Sequence, residues 1–227
     1  MNILCTICAR KGSKGIKNKN IAKLKGKPLI IHTLNQAKKT NFIKDIVVST
    51  NSKIIQRIVG KKYSWFDRPE KISDSKSSKI IAIRHAILKA EKKNNCKYDL
   101  IIDLDVTSPL RTINDITNSL KLFKKKKINN LFSVSEPRKN PYFNIVEYKK
   151  NKNQTYAPVK NIHKVYSRQE APKVYEMNAA IYIWKRDVIF TKKPLFNKKT
   201  GIFIMPKERS IDIDDAFDFK IVKYLKK

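Results

Sequence analysis

Apolar residues gather in short, nearly continuous runs, and segments with helical spacing separate them through the first half of the chain. Asn2 to Cys8, Asp45 to Thr50, Leu100 to Leu104 and Leu131 to Ser135 are runs of the kind that fill strands buried on both faces. Between them, Pro28 to Thr40, Lys53 to Lys62, Ser78 to Asn94 and Ile113 to Lys126 repeat apolar positions three and four apart, the period of a helix with one apolar stripe. The alternation predicts an α/β fold, an open and mostly parallel sheet covered by helices. Ligands of such sheets bind beyond the carboxyl ends of the strands, so the loops after Cys8, Thr50, Leu104 and Ser135 are the predicted lining of a site.

The rhythm breaks between Arg138 and Lys173, where Pro141, Pro158 and Pro172 fall among aromatic and polar residues. Tyr142, Phe143, Ile145, Val146 and Tyr148 are too apolar for a purely solvated loop. The reading is one domain over residues 1–227 with a β-rich arm inserted at about 138–173 that packs on a second subunit. Regular patterning resumes at Val174 to Trp184 and Gly201 to Met205, and a last helix is predicted from Asp215 to Tyr224.

Composition changes this picture little. The formal net charge of +32 raises nucleic acid or an anionic surface as a partner, but the lysines are spread over nearly every segment and form no aromatic-interleaved stripe. No apolar run reaches the roughly 20 residues of a membrane span, so a soluble, cytoplasmic protein is expected. Cys5 and Cys8 stand three apart on a strand and point to opposite faces, which reads as core packing rather than a metal or redox pair. His32, His85 and His163 have no ligand spacing.

Four stretches carry candidate chemistry. Ala9-Arg10-Lys11-Gly12-Ser13-Lys14-Gly15 follows the first strand, and three of the chain's five glycines, Gly12, Gly15 and Gly26, fall near it. Glycine lets backbone N–H groups converge on one concavity, to which Arg10, Lys14 and Lys19 bring charge, so a polyphosphate is the expected guest. The spacing matches neither a Walker loop nor a dinucleotide fingerprint. In Asp103-Leu104-Asp105-Val106-Thr107-Ser108-Pro109, carboxylates two apart share a face of a strand and suit a cation or a hydroxyl, while Thr107-Ser108-Pro109 also reads as a helix cap. Asp212 and Asp214 share one side with Ile211 and Ile213 on the other, a pair suited to Mg²⁺ opposite the basic loop; Asp215 caps the following helix. Arg168, Gln169 and Asn178 are candidates to clamp a carboxylate and a hydroxylated chain.

Taken in order, these stretches resemble the acylneuraminate cytidylyltransferases, together with Gly26-Lys27-Pro28-Leu29-Ile30, Val48-Ser49-Thr50-Asn51-Ser52, Arg68-Pro69, Thr107-Ser108-Pro109-Leu110-Arg111, Tyr175-Glu176-Met177-Asn178-Ala179-Ala180-Ile181-Tyr182 and Ser210-Ile211-Asp212-Ile213-Asp214. The resemblance implies a Rossmann-like sheet of the nucleotide-diphospho-sugar transferase type. It implies a homodimer that joins CTP to a nine-carbon 2-keto sugar acid and releases pyrophosphate. By that likeness Arg10, Ser13, Lys14, Lys19 and Asn20 bind CTP, and Arg68 with Ser73 lies near the cytosine and ribose. Asp212 and Asp214 hold Mg²⁺, and Arg10 and Lys14 join them as the catalytic set. Asp105, Thr107, Ser108, Arg168, Gln169, Tyr175 and Asn178 face the sugar acid, and Asp105 is a candidate general base. Lys11, Asn51, Ala179 and the Asp-Leu-Asp-Val run depart from the family pattern. The last looks like the branch handling legionaminic-type sugars, with an eight-carbon or pseudaminic substrate as the alternative.

Overall fold

A strand covered by helices on both faces buries both of its alternating side-chain sets, which is why the continuous apolar runs become the central strands. The computed structural model describes residues 1–13, 15–74, 77–149, 155–158, 167 and 169–226. Strand β1 (Ile3–Cys8) is followed by a short antiparallel pair, β2 (Lys23–Leu24) and β3 (Lys27–Pro28), and by helix α1 (Leu29–Lys38). Then come β4 (Asp45–Thr50), α2 (Lys53–Val59), β5 (Ser64–Asp67), α3 (Lys79–Asn94), β6 (Leu100–Leu104), α4 (Ile113–Lys125) and β7 (Asn130–Ser135). A hairpin of β8 (Val146–Lys149) and β9 (Thr155–Pro158) precedes β10 (Glu176–Lys185), α5 (Arg186–Ile189), β11 (Thr200–Ile204) and α6 (Ala216–Leu225).

The main sheet has the order β11-β7-β10-β6-β1-β4-β5. Only β10 runs antiparallel to its neighbours among the described strands of this sheet, against both β6 and β7. One face packs Ile3, Cys5 and Ile7 of β1 against Leu34 of α1, Ile55 of α2, Leu120 of α4 and Val222 of α6. The other face packs Leu4 and Ile101 against Ile83 and Ile87 of α3 and Ile189 of α5. Helices therefore cover both faces, as the alternation predicted.

One helix end and one strand differ in kind from the expectation. Helix α2 stops at Val59 rather than Lys62, because Gly60 at φ 57° ends it, its N–H bonding the carbonyl of Gln56. The chain so released forms β5, an edge strand not foreseen from the sequence, alternately half-buried and exposed. In the inserted arm the described hairpin pairs Val146 with Pro158 and Tyr148 with Tyr156. Phe143, Ile145 and Val146 are exposed there. No described helix is long and apolar enough to cross a membrane.

Candidate active site

The parallel course of β1, β4 and β6 brings their carboxyl ends out side by side, and the loops beyond them enclose a cleft of about 450 Å³. The first loop is anchored as it leaves β1. Ala9 N–H bonds the Ser49 carbonyl at 3.0 Å, Lys11 N–H bonds Asn51 Oδ1 at 2.8 Å, and Asn20 Nδ2 bonds the Arg10 carbonyl at 3.1 Å. The left-handed turn falls on Gly12 at φ 78°, leaving the Lys11 side chain exposed. Asn51 accepts from Lys11 and donates to Glu70 Oε1 at 3.3 Å; the aspartate usual in the family pattern has no donor for that carboxylate.

Gly15 lies directly on the stretch that carries the second aspartate pair. A β-carbon at that position would overlap the Asp214 carbonyl oxygen, so only glycine permits this approach. Lys19 Nζ completes the junction, 2.6 Å from the Ile213 carbonyl and 3.0 Å from Asp214 Oδ1. On its other side the same stretch is tied to the third loop, with Ile213 N–H bonding the Thr107 carbonyl at 2.9 Å. Ile213 is fully buried, and Asp212 and Asp214 both border the cleft, as the alternation predicted. They also border a second cavity of about 410 Å³ that extends toward Ser135, Arg138, Glu176 and Lys207. The aspartates thus stand where two cavities meet.

The two carboxylate pairs differ in charge balance. Asp103 is fully buried, accepting from Thr6 Oγ1 at 2.7 Å, and Asp105 accepts from Thr107 Oγ1 at 2.9 Å and Thr107 N–H at 3.2 Å. Lys79 Nζ pairs with both, at 2.7 and 2.6 Å. Burial pushes Asp105 up, but Lys79 and the Thr107 bonds outweigh it and hold the carboxyl at about 2. A carboxylate with so little affinity for a proton is a poor base, which corrects the expectation that Asp105 takes one. Asp212 shows the reverse: burial, then the charge of Asp105, raises it to about 6, and its Oδ1 is buried with no hydrogen-bond partner.

Of the residues singled out by sequence, Arg10, Ser13, Lys19, Asn20, Arg68, Asp105, Thr107, Asp212 and Asp214 line the one cleft. Lys14 and Arg168 lie outside the described residues. Arg68 is anchored through Ser49, donating to its carbonyl at 2.8 Å and to its Oγ at 3.1 Å. Ser73 turns inward, its hydroxyl bonding the Pro69 carbonyl at 3.0 Å, while neighbouring Ile72 and Asp74 reach the cleft. Ser108 is fully buried. Asn178 borders the second cavity, and its amide is also braced, Nδ2 donating to Ser210 Oγ at 2.9 Å and Oδ1 accepting from Ser133 Oγ at 2.6 Å. Gln169 borders a separate cavity with Asn140 and Lys173, and Tyr175 lies under Lys173 with Nζ 5.5 Å from the ring centre.

Sequence reasoning missed Lys79, Ser77 and Ser78, which border the cleft at the start of α3. A faint signal existed. A lysine at the first position of a helix sits at its positive end and calls for acidic partners, which the first turn of α3 does not supply. Cys8 also borders the cleft, but burial and then Asp103 push its thiol up to about 12, so it is inert as a nucleophile.

The donor set tests well for a hard cation. Two carboxylates of Asp212 and Asp214, one with an orphaned buried oxygen, are the oxygen ligands Mg²⁺ takes together with substrate phosphates. Among the described residues no cluster of three or more His, Cys, Asp or Glu exists that could cage an ion alone, so phosphate oxygens and water must complete any shell.

A parallel α/β sheet with a cationic loop and an aspartate pair at its carboxyl edge defines a nucleotide-handling enzyme. The chain belongs to the cytidylyltransferase family, which it matches over residues 4–225, and is a nucleotidyltransferase. It is 40% identical to a Campylobacter jejuni protein named CMP-N,N'-diacetyllegionaminic acid synthase, over 98% of this chain and 94% of that one. It is 41% identical, over the same shares, to a Campylobacter coli protein named post-translational flagellin modification protein B. An N-acylneuraminate cytidylyltransferase of Streptococcus agalactiae is 30% identical over 96% of this chain and 52% of that protein. A solved CMP:2-keto-3-deoxy-manno-octonic acid synthetase in complex with CTP superimposes with a TM-score of 0.68 at 16% identity, covering 100% of this chain and 98% of that one, and so shares the fold.

Proposed function

We propose that the protein joins CTP to a nine-carbon 2-keto sugar acid of the legionaminic type, releasing pyrophosphate, with Mg²⁺ and as a cytoplasmic homodimer. The observation that carries this reading is the junction at Asp212 and Asp214. A cleft lined by Arg10, Ser13, Lys19 and Asn20 meets a second cavity there, in a chain 40% identical to the legionaminic acid synthase over nearly its whole length. The first cavity suits the nucleotide and the second suits the sugar acid. The anomeric hydroxyl oxygen attacks the α-phosphorus and gives up its proton to water, the α–β bridging P–O bond breaks, and pyrophosphate departs with that bond's electron pair. Arg10 and Lys19 place positive charge where the phosphates gain negative charge. Mg²⁺, when bound by Asp212 and Asp214, supplies further neutralisation of that charge. Arg68 and Ser78 border the same cleft, and the nucleoside is the part of CTP assigned to them in this reading. The exposed Phe143, Ile145 and Val146 of the arm are the surface for a second copy.

The test is Mg²⁺-dependent pyrophosphate release with N,N'-diacetyllegionaminate, N-acetylneuraminate, pseudaminate and the eight-carbon KDO, against CTP, ATP, GTP and UTP. Release with CTP and the legionaminate above all others is the expected result. Preference for pseudaminate or KDO overturns the substrate, and release from another nucleotide overturns the choice of CTP.

A further inference from the structure

A cavity of about 340 Å³ is bordered by α1, the turn into α4 and the residue that follows α6, and it shares no bordering residue with the nucleotide cleft. Its walls carry three cations, Lys39, Arg111 and Lys226, and no carboxylate. Arg111 is only 1% exposed. Its Nη1 donates to the Asp105 carbonyl at 3.2 Å and to the Ala180 carbonyl, and its Nη2 donates to Gln36 Oε1 at 2.8 Å, but Nε is buried with no partner. Lys226, half-buried, gives one N–H to the Pro109 carbonyl at 2.9 Å and keeps two more to donate.

The neighbouring carboxylates are committed elsewhere. Asp115 is taken by Arg209 at 2.8 and 3.0 Å and by the Thr112 hydroxyl at 2.7 Å, and Asp103 and Asp105 share Lys79. Burial pulls the Arg111 guanidinium down to about 10 although Asp105 and Asp103 favour its charge, and Lys226 is lowered by burial and then by Arg111 itself. Two cations thus repel each other at the wall of a cavity that no carboxylate borders. Lysines fall on many surfaces of so basic a chain, but a fully buried arginine with a spare N–H is a different feature.

We propose that this cavity is a binding site for a small oxyanion of the phosphate class, held by Lys226, Lys39 and the buried guanidinium of Arg111, and separate from the catalytic cleft. Ionised phosphate brings several acceptor oxygens to a wall rich in donors, and its charge supplies what the two repelling cations lack. The cavity is larger than a bare tetrahedral anion, so the phosphate is either free or the end of a short monoester.

Thermal melts at constant ionic strength compare chloride with inorganic phosphate and with glycerol 3-phosphate, in the wild type, Lys226→Met, Lys226→Arg and Lys19→Met, the last removing a cation of the cleft. Phosphate at about ten times its dissociation constant should raise the wild-type Tm by roughly 3–6 °C over chloride. Lys226→Met should lose more than half of that rise, while Lys226→Arg and Lys19→Met keep most of it. Calorimetric titration should give a Kd for phosphate weaker by about fivefold or more in Lys226→Met. A larger rise with glycerol 3-phosphate than with phosphate identifies a monoester, and an equal or smaller one the free anion. No rise in the wild type, an equal loss in Lys226→Met and Lys19→Met, or a loss confined to Lys19→Met overturns the site, the last because the phosphate then sits in the cleft.

Discussion

Asp103-Leu104-Asp105 and Asp212-Ile213-Asp214 have the same local form, two carboxylates around one buried apolar residue, and a member of each borders the same cleft. Their electrostatics are opposite. Lys79 bridges both members of the first pair from within and leaves Asp105 at about 2, whereas Asp212 is pushed up to about 6 and its buried Oδ1 has no hydrogen-bond partner. Lys19 reaches Asp214 on the exposed rim and no described cation closes on Asp212 at salt-bridge distance. The difference teaches that two carboxylate pairs of the same local form diverge according to where the fold puts its cations. A cation held between both members of a pair leaves no room for another, whereas a pair met by a cation only at its exposed member keeps an oxygen free for metal or phosphate to approach.

The largest break in that comparison comes from removing the unsatisfied member. Asp212→Ala should lower turnover by roughly 10²–10³-fold or more, an effect that added Mg²⁺ does not reverse. Steady-state pyrophosphate release across an Mg²⁺ titration checks it. Near-normal turnover at saturating Mg²⁺ would make the two pairs alike after all.

How far the residues alone revealed this follows the range of the forces involved. The parallel sheet was legible because each strand announces itself in a handful of consecutive residues, Ile3 to Cys8 or Leu100 to Leu104, and so was the cationic loop, where Arg10, Gly12 and Gly15 sit together. Edge strand β5 was not, since half of Ser64–Asp67 faces solvent and its pattern is weak. The pairing of Lys79 with Asp103 was not, because a lysine among dozens gives no sign of which carboxylate the fold brings to it. The bracing of Asn178 was not, for the same reason. An asparagine in a motif looks identical whether or not neighbours such as Ser133 and Ser210 also hold its amide.

Acid titration sharpens the comparison, because the two shifts carry opposite signs. Asp105 has a folded value of about 2 against an ordinary 3.8, so the stability it contributes is present above about 4 and lost as pH falls toward 2. Asp212 has a folded value of about 6, so metal-free protein loses stability as pH rises from about 4 through 6. Each shift of about two units is worth on the order of 2–3 kcal/mol before coupling, and a chain of this size moves its Tm by about 2–4 °C per kcal/mol. Melts in chelator should therefore show Asp212→Asn more stable than wild type at pH 8 and equal to it near pH 4. Asp105→Asn should be less stable at pH 8, with the gap closing as pH falls. Parallel curves for the two variants would remove the electrostatic distinction.

The smallest effect lies behind Asp105, where β10 loses register between Met177 and Tyr182 and Ala179 takes a left-handed φ of 54°. That irregularity adjoins the third loop: the Ala180 carbonyl accepts from Asp105 N–H at 3.4 Å and from the buried guanidinium of Arg111, so the kink in β10 is tied to the loop carrying Asp105. An alanine there costs about 1–2 kcal/mol relative to a residue at ease in that conformation, part of which a glycine returns through its looser unfolded chain. Ala179→Gly should then raise stability by about 0.5–1 kcal/mol, read as a Tm higher by roughly 1–4 °C. KM for both substrates should stay unchanged, because the backbone keeps its path. A gain in Tm accompanied by a higher KM for the sugar acid would show that the β-carbon of Ala179, as well as the kink, holds the Asp105 side of the comparison in place.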